Sequence, residues 1–237
     1  MNTQRHVLAL ETSTEACSIA LASGGRIFHR LEIAPRQHAE LALPWIEALC
    51  DEAGIGREAL THLAVGIGPG AFTGVRLGVA LAQGLAFAHA LPVAAVSTLR
   101  IVAAGAAAQE GQRICVAMDA RMQEVYCATF EWRNGVPVEI DEARVCAPEA
   151  VRLAGTGWLG FGTGFSAYAG RFEDLDADAI SIIDAHALPD ARALLILADE
   201  VARNDAWITP EQIAPLYLRN NVAQTIAERE AAKNAAP

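Results

Sequence analysis

Two acidic turns carry the side chains best suited to chemistry. The first is Glu11-Thr12-Ser13-Thr14, directly after a hydrophobic run, and the second holds Asp119 at the end of another hydrophobic run. A carboxylate followed by small hydroxyl residues at a strand end can hold a metal-bound phosphate through backbone N–H groups and hydroxyls. The alternative is an ordinary hairpin turn, in which Thr and Ser make local hydrogen bonds. The first turn lacks the glycine that close approach of backbone to phosphate usually requires, and both interpretations stay open.

A glycine-rich loop from Gly66 to Gly74 offers a second place for an anion. It joins a predicted strand to a predicted helix, so its N–H groups and the helix dipole could receive a negative group. No lysine follows the loop, which excludes a P-loop, and Arg76 is the nearest cation. In the alternative, the glycines only form the turn and let the helix pack closely against its neighbours.

The helix after this loop carries small residues four positions apart. Gly74, Gly78 and Ala82 share one helix face because of this spacing. Each glycine inside a helix costs about 1 kcal/mol relative to alanine, so we expect another backbone to approach this face. That neighbour is either the sheet of the same lobe or a helix of a partner protein, and both remain open at this point.

Patterns for metal binding and nucleophilic catalysis are absent from the sequence. No two histidines stand at HxH or HxxxH spacing, there is no HExxH, and no cluster of Cys and His forms. A GxSxG elbow is missing as well, and His38, at the start of a predicted helix, is expected to cap it or to lie on the surface. No metal site is predicted. Asp119 is the best remaining catalytic candidate, although its neighbour Arg121 could simply pair with Glu124.

The composition limits the class of protein. The 237 residues are 53% hydrophobic and include 28 acidic against 18 basic side chains, a net charge of −10. Such a surface repels a phosphate backbone, so we do not expect the chain to bind RNA or DNA by itself unless a basic partner supplies the contacts. Five widely spaced cysteines without a CxxC pattern indicate reduced, buried thiols of a cytosolic protein.

Membrane targeting is not indicated. The start, MNTQRHVLAL, has neither a basic region nor a long apolar stretch, so no signal peptide is predicted. The apolar segment from Ala82 to Ala95 is interrupted by Gln83 and Pro92 and falls short of the roughly 20 residues needed to span a bilayer. We expect a soluble, cytoplasmic protein with no membrane partner.

The elements around the two acidic turns repeat one pattern. In each half a hydrophobic strand ends in the acidic turn, a second strand follows, and a hairpin turn leads into a third strand. Gly24-Gly25 and Asn134-Gly135 suit two-residue hairpins because both central residues can take a positive φ. This duplication predicts an α/β fold of two lobes, of the actin-like or ribonuclease H-like type, in which an acidic turn from each lobe faces a nucleotide cleft.

Periodicity and turn residues predict the remaining elements and the boundaries of the lobes. Helices are expected at 35–53, 72–89, 98–108 and 187–203, and strands at 61–68, 92–97 and within 155–164. Pro44 should either kink the first helix or mark its first turn, and residues 172–179 are expected to be irregular. The predicted organisation is a first lobe at 1–108, a smaller, degenerate second lobe at 109–222 and a polar tail at 223–237.

Four segments together resemble one known family. They are ETSTEACSIAL, VGIGPGAFTGVRLGVALAQGLA, AMDARMQEVYCATF and PLYLRN, in order along nearly the whole chain. They are similar to the bacterial tRNA threonylcarbamoyladenosine biosynthesis protein family TsaB, also called YeaZ, a non-catalytic paralogue of TsaD in the actin, sugar-kinase and Hsp70 superfamily. The resemblance implies that the protein acts with TsaD and with an ATPase, TsaE, to transfer a threonylcarbamoyl group onto N6 of adenosine 37 in tRNAs that read codons starting with A.

The same segments also resemble the catalytic paralogue, with one informative difference. In TsaD the strand after the GPG helix leads into a metal-binding HxxxH, whereas the corresponding residues 97–102, STLRIV, hold no histidine. The turn Glu11-Thr12-Ser13 does match the paralogue's acidic phosphate turn. The resemblance therefore implies a non-catalytic scaffold or activating subunit that binds no cofactor tightly, reaches tRNA through its partners and allows for ATP or ADP near the subunit interface of the complex.

A partner surface on the first lobe is a further implication of the resemblance. Subunits of this family use helices of that lobe to contact the paralogue, or a second copy of themselves when alone, and the matching helices here are 35–53 and 72–89. The interface residues predicted on this basis are Leu41, Trp45, Gly74, Leu77, Gly78 and Leu81.

The rival hypothesis comes from a different functional class. A self-sufficient ATPase or small-molecule kinase of the same fold would use Glu11, Thr12 and Asp119. Such an enzyme would bind Mg-nucleotide tightly as an isolated chain. The missing glycine of the first turn and the missing lysine of the glycine-rich loop count against it.

Overall fold

Two five-stranded mixed sheets, one in each half of the chain, form the framework of the molecule. The computed structural model describes residues 5–106, 108–172, 175 and 178–219. The first sheet has the strand order β3-β2-β1-β4-β5 and the second the order β8-β7-β6-β9-β10. The strands are β1 (His6–Glu11), β2 (Ala16–Ser23), β3 (Arg26–Ile33), β4 (His62–Gly66), β5 (Val93–Val96), β6 (Arg113–Asp119), β7 (Val125–Arg133), β8 (Val136–Cys146), β9 (Trp158–Phe161) and β10 (Ile180–Asp184). In both sheets three antiparallel strands are followed by two parallel ones, so the predicted duplication is confirmed.

The hairpin turns of both halves have the backbone that their residue types predict. Gly24 and Gly25 have φ angles of 57° and 75°, and Asn134 and Gly135 have φ angles of 54° and 79°. A positive φ at both central residues gives a turn whose twist matches that of the flanking strands. These turns set the register of β2 against β3 and of β7 against β8.

The helices differ between the two halves more than the strands do. They are α1 (His38–Ala53), α2 (Phe72–His89), α3 (Thr98–Gly105), α4 (Gly164–Ala167) and α5 (Ala191–Arg203). The second half has a three-residue 3₁₀ turn where the first has α1, and the four-residue α4 stands in place of the 18-residue α2. The second lobe is therefore reduced in its helical layer. None of the helices in the described ranges is long and apolar enough to cross a membrane.

Helices cover both faces of the first sheet. α1 and α2 pack on one face, against Leu8 and Leu10 of β1, and α5 of the second half packs on the other, against Val7 and Ala9. Because both faces of β1 are buried, it is a continuous hydrophobic run instead of an alternating one. α3 of the first half packs against the second sheet through Leu99, so each half places one helix between the two sheets.

The C-terminal strap, residues 215–219, contacts both lobes. The N–H of Leu216 donates to the carbonyl oxygen of Ile67 at 2.8 Å, in the glycine-rich loop of the first lobe. Arg76 Nε donates to the hydroxyl of Tyr217 at 2.7 Å. At the other end of the strap, Arg219 forms an ion pair with Glu124 of the second lobe. The strap therefore connects the start of α2 to the second acidic turn.

Several element boundaries differ from the predicted ones. α1 begins at His38 instead of residue 35, because Arg36 has a left-handed backbone with a φ of 71° that a helix cannot contain, and Pro44 lies inside the helix. α5 begins after Pro189. The strand β10 lies just beyond the predicted irregular segment and was not predicted; its central residues lie at the exposed edge of the second sheet.

The lobe boundary at residue 108 stays a prediction, and the predicted tail at 223–237 lies outside the described residues.

Candidate functional site

The first acidic turn closes on itself. Glu11, Thr12 and Ser13 are at most 1% exposed. The Ser13 N–H donates to Glu11 Oε1 at 2.6 Å, and the Ser13 hydroxyl bonds to the same oxygen. That hydroxyl also lies 2.8 Å from Thr98 Oγ1 at the start of α3. The carboxylate therefore organises its own loop, as in the local-hydrogen-bond alternative, and is not exposed for a metal-bound phosphate.

The start of α2 occupies the space above this turn. The N–H of Ala71 donates to the Ser13 carbonyl oxygen at 2.7 Å, and the Thr12 hydroxyl donates to the Gly74 carbonyl oxygen at 2.8 Å. A Cβ atom added at Gly74 would lie 2.1 Å from the Thr12 carbonyl oxygen, and one added at Gly78 would lie 2.7 Å from Thr12 Oγ1. The backbone that approaches the small-residue face is therefore the chain's own.

Two of the predicted interface residues take part in this packing. Gly74 and Gly78 are buried inside the first lobe, since the turn at Thr12 fills the space beside them. The glycines are required for close internal packing, which is the first of the two alternatives given for the small-residue face of this helix.

Glu11 is a buried acid with one unsatisfied oxygen. Its Oε2 has no hydrogen-bond partner among the described residues, and it packs so tightly on Gly66 that a Cβ there would lie 1.8 Å away. Burial raises the pKa of Glu11 above its usual value, and hydrogen bonds from Ser13, Thr98 and Thr12 oppose that rise only in part. The folded state thus favours the protonated form.

The second acidic turn also satisfies its carboxylate locally. Asp119 Oδ1 accepts the Arg121 N–H and the Tyr168 hydroxyl, both at 2.8 Å. Arg121 Nη1 lies 3.1 Å from Asp119 Oδ2. Arg121 therefore pairs with Asp119, and Glu124, which was named as an alternative partner for Arg121, forms its ion pair with Arg219 of the C-terminal strap.

The two turns face each other across a cleft between the lobes. Ser13 and Thr14 from the first turn and Asp119 from the second line one cavity of about 820 Å³. The structure thus brings together the two turns singled out in the sequence, although Glu11 and Thr12 lie beneath the cleft floor. The cleft also contains Arg36 and His38 from the start of α1.

His38 is a cleft residue that the sequence patterns did not reveal. It was expected at a cap or on the surface, but its side chain is only 7% exposed and caps nothing in α1. The left-handed backbone of Arg36 turns the chain just before α1, and the residue type of Arg36 gives no signal for it. Among the described residues, no group of three or more His, Cys, Asp or Glu side chains could hold a metal ion. All five cysteines are free and four of them are buried.

The outward side of α2 carries a different set of small and apolar residues. Arg76, Ala80, Gly84 and Phe87 are exposed at three- to four-residue spacing, with Phe87 56% exposed. A Cβ at Gly84 would meet nothing within 4 Å. The predicted residues Leu41, Trp45, Leu77 and Leu81 are half-buried at the sides of α1 and α2.

Comparisons with known proteins find a TsaD family model and TsaB relatives over most of the chain. The family model described as TsaD, tRNA N6-adenosine threonylcarbamoyltransferase, matches residues 31–227. The tRNA threonylcarbamoyladenosine biosynthesis protein TsaB of Escherichia coli strain K12 is 38% identical over 92% of this chain and 96% of that protein. The protein of the same name from Haemophilus influenzae is 38% identical over 91% of this chain and 94% of its own length. A solved structure of YeaZ from Pseudomonas aeruginosa is 40% identical, covers 90% of this chain and 100% of that one, and superposes with a TM-score of 0.82. With matches that span most of its length in sequence and in structure, the chain belongs to the TsaB family, also called YeaZ.

Proposed function

We propose that this protein acts in tRNA threonylcarbamoyladenosine biosynthesis as a non-catalytic subunit. Its catalytic paralogue TsaD, together with the ATPase TsaE, would transfer the threonylcarbamoyl group onto N6 of adenosine 37 in tRNAs that read codons starting with A. The relatives' names support the pathway. The observation that carries the non-catalytic role is the closed first turn, in which Glu11 is buried and bonded to Ser13 of its own loop.

The charge of the chain supports an indirect route to tRNA. A net charge of −10 disfavours approach to a phosphate backbone unless basic partners neutralise it. We therefore assign tRNA contact to the partner subunits of a cytoplasmic complex. Any ATP or ADP belongs near the subunit interface of that complex.

The partner surface in this proposal is the outward side of α1 and α2. We define the α2 outer face by Ala80, Gly84 and Phe87, and Leu43 of α1 is exposed as well. Small residues there let another helix approach closely, and an exposed aromatic side chain supplies the contact type that dominates interface energies. The half-buried Leu41, Trp45, Leu77 and Leu81 would line the sides of this contact. When the partner is absent, the same face could join two copies of the chain.

A single substitution tests this surface. Gly84→Arg adds a long charged side chain where the structure has open space, so folding is retained while close helix approach is blocked. We expect affinity for the catalytic paralogue, measured by isothermal titration calorimetry, to fall at least about tenfold, the effect of losing about 1.4 kcal/mol. The matched control is Arg203→Gln, which changes an exposed charge at the end of α5, on the other side of the first sheet from α1 and α2. Equal affinity of Gly84→Arg and wild type would remove the α2 outer face from the interface.

Reconstitution tests the role itself. Purified paralogue and ATPase should form threonylcarbamoyladenosine on tRNA efficiently only when this chain is added. The chain alone should form none and should show no tight Mg-nucleotide binding. Tight Mg-nucleotide binding by the isolated chain would instead support the rival hypothesis of a self-sufficient ATPase or small-molecule kinase.

A further inference from the structure

The strand β3 forms an open edge of the first sheet. Among the described strands it pairs with β2 alone, along its whole length and without a bulge. The N–H of Ala34 donates to the carbonyl oxygen of Glu15 at 3.0 Å, which sets the alternation of hydrogen bonds along the pair. The residues whose backbone N–H and C=O groups point away from β2 are therefore Ile27, His29, Leu31 and Ile33.

Most of these outward backbone groups have no protein partner. The carbonyl oxygen of His29 accepts a hydrogen bond from Arg30 Nη1 at 3.0 Å. Within the described ranges, no hydrogen bond reaches the outward groups of Ile27, Leu31 or Ile33. A row of unpaired donors and acceptors on an edge strand is a template for pairing with another strand.

The side chains of the same four residues give this edge an apolar face. They lie on one side of the sheet because alternate residues of a strand do. Ile27, Leu31 and Ile33 are 57%, 42% and 55% exposed, and His29 lies 3.2 Å from Asp190 at the start of α5. The apolar face is therefore on the α5 side of the sheet. Neighbouring exposed apolar side chains, in contrast to scattered ones, mark interaction surfaces.

The equivalent edge of the second sheet is protected against pairing. β8, the third strand of the second half, has two register irregularities against β7, and its middle carries Glu139, Asp141 and Glu142. Bulges and charges are devices that keep edge strands from pairing with other chains. β3 has no bulge, and its outward face is apolar apart from His29. Of the two duplicated edges, β3 is thus the one suited to contact.

The charges of β3 match those of a second copy of the same strand. When two β3 strands pair antiparallel with Leu31 on the two-fold axis, Arg30 of each copy lies opposite Glu32 of the other. Opposite charges directly across a strand pair stabilise it. Arg30 also pairs with Glu52 of its own α1, so its guanidinium would lie between two carboxylates. The register with Arg30 on the axis would instead place like charges opposite each other, which is unfavourable.

We propose that β3 joins two copies of this chain edge to edge, antiparallel and with Leu31 at the two-fold axis. The five-stranded sheets of the two copies then form one continuous sheet. The outward N–H and C=O groups supply the hydrogen bonds, Leu31 and Ile33 the apolar contact, and Arg30 and Glu32 the charge match. This surface shares no residue with the α2 outer face, and it does not rest on the proposed role in tRNA modification.

Sedimentation velocity of the full chain over a concentration series tests the proposal. The chain carries Gly84→Arg, so that a dimer through the α2 outer face is blocked. We expect a monomer–dimer equilibrium at physiological ionic strength, which screens the repulsion between chains of net charge −10. Adding Leu31→Lys should weaken the dimer at least about tenfold, because two lysines would face each other across the axis.

The matched control changes the other edge strand. Ile140 of β8 is 45% exposed, close to the exposure of Leu31, so Ile140→Lys adds the same charge without affecting β3. It should leave the dimer Kd unchanged. A chain that stays monomeric at all concentrations, or a dimer that Leu31→Lys leaves as stable as before, would overturn the proposal.

Disulfide trapping tests the register. Leu31→Cys should cross-link two copies under mild oxidation, since residues opposite each other on the axis have Cα atoms about 5.5 Å apart, within disulfide range. Ile27→Cys is the control on the same face. Its two copies would lie eight residues apart along the strands, roughly 26 Å, and should not cross-link. Equal cross-linking of both variants, or cross-linking of Ile27→Cys alone, would overturn the register with Leu31 on the axis.

Discussion

The sequence pattern suggests Glu11 as a phosphate ligand, whereas in the structure it is a buried acid with a structural role. Its position at a strand end before Thr and Ser is typical of a phosphate turn, yet the same residues satisfy one another once α2 is packed above them. Sequence pattern alone does not distinguish these outcomes, because both need a carboxylate beside small hydroxyls. What separates them is burial, which depends on how closely Gly70 and Gly74 let α2 approach.

Replacing Glu11 by Gln tests its protonation. Because burial raises the pKa of Glu11 in the folded state, its contribution to stability is fully present below the usual glutamate pKa and is lost as the pH rises through the raised value. The free energy of unfolding of wild type should therefore fall relative to Glu11→Gln on going from acidic to neutral pH, by up to about 1.4 kcal/mol per pH unit in that window. Urea unfolding across this range measures it, with the exposed Glu47→Gln as control. Parallel curves for wild type and Glu11→Gln would contradict a raised pKa of Glu11 in the folded state.

Gly74 and Gly84 form a matched pair within one helix. A methyl group at Gly74 would overlap the Thr12 carbonyl oxygen, so Gly74→Ala should lower the free energy of unfolding by about 1–3 kcal/mol. Gly84 faces open space, so Gly84→Ala should raise it by about 0.5–1 kcal/mol. Thermal and urea unfolding of the two variants give both signs. A stabilising Gly74→Ala would mean that α2 is not packed against the first turn.

At the scale of elements, α5 is the helix that links the second half to the first sheet, and the side chain of Asp190 caps its start. Asp190 accepts the Arg192 N–H at 2.7 Å, and His29 Nε2 of β3 lies 3.2 Å from the same carboxylate. Burial alone would raise the pKa of Asp190, but hydrogen bonds from His29 and Arg192 outweigh burial and lower it. The cap thus anchors α5 to the edge of the first sheet.

Two substitutions separate the cap from the charge. Asp190→Ala removes both and should lower the free energy of unfolding by at least about 1 kcal/mol, while Asp190→Asn keeps an acceptor for the Arg192 N–H and should cost less. Because the pKa is lowered in the folded state, the advantage of wild type over Asp190→Asn is present above the usual aspartate pKa and is lost as the pH falls. Chemical unfolding at neutral and acidic pH measures both differences. An advantage that does not shrink in acid would show that the charge contributes nothing.

The elements that the sequence predicted best are those governed by local chemistry. Gly24-Gly25 and Asn134-Gly135 specify their hairpins by backbone preference alone. The start of α1 was misplaced because Arg36 takes a left-handed backbone that its residue type does not favour. β10 was missed because this edge strand has little buried surface to produce an alternating pattern. The cleft residue His38 depends on where the chain turns back, which is a tertiary property.

At the scale of the whole molecule, the duplicated halves are held together by exchange of elements. α3 packs on the second sheet and α5 on the first, and the C-terminal strap joins Ile67 of one lobe to Glu124 of the other through Leu216 and Arg219. In this arrangement a cleft remains between the lobes. The first acidic turn, which an enzyme of this fold would use, is closed by its own hydrogen bonds. It leaves the α2 outer face exposed, which is the layout expected of a subunit that works through a partner.

The proposed role in tRNA modification is tested by depleting this protein in its host. Mass spectrometry then measures the level of threonylcarbamoyladenosine in total tRNA. We predict loss of the modified nucleoside, which wild type and Asp119→Asn should restore equally and Gly84→Arg should not. Asp119 is the cleft residue suited to this test. Glu11 is less suitable because it is buried, and replacing it would also change the stability of the fold. Failure of Asp119→Asn to restore the nucleoside would place chemistry in this chain's own cleft. An unchanged nucleoside level in a host without a second copy would contradict the proposed role in tRNA modification.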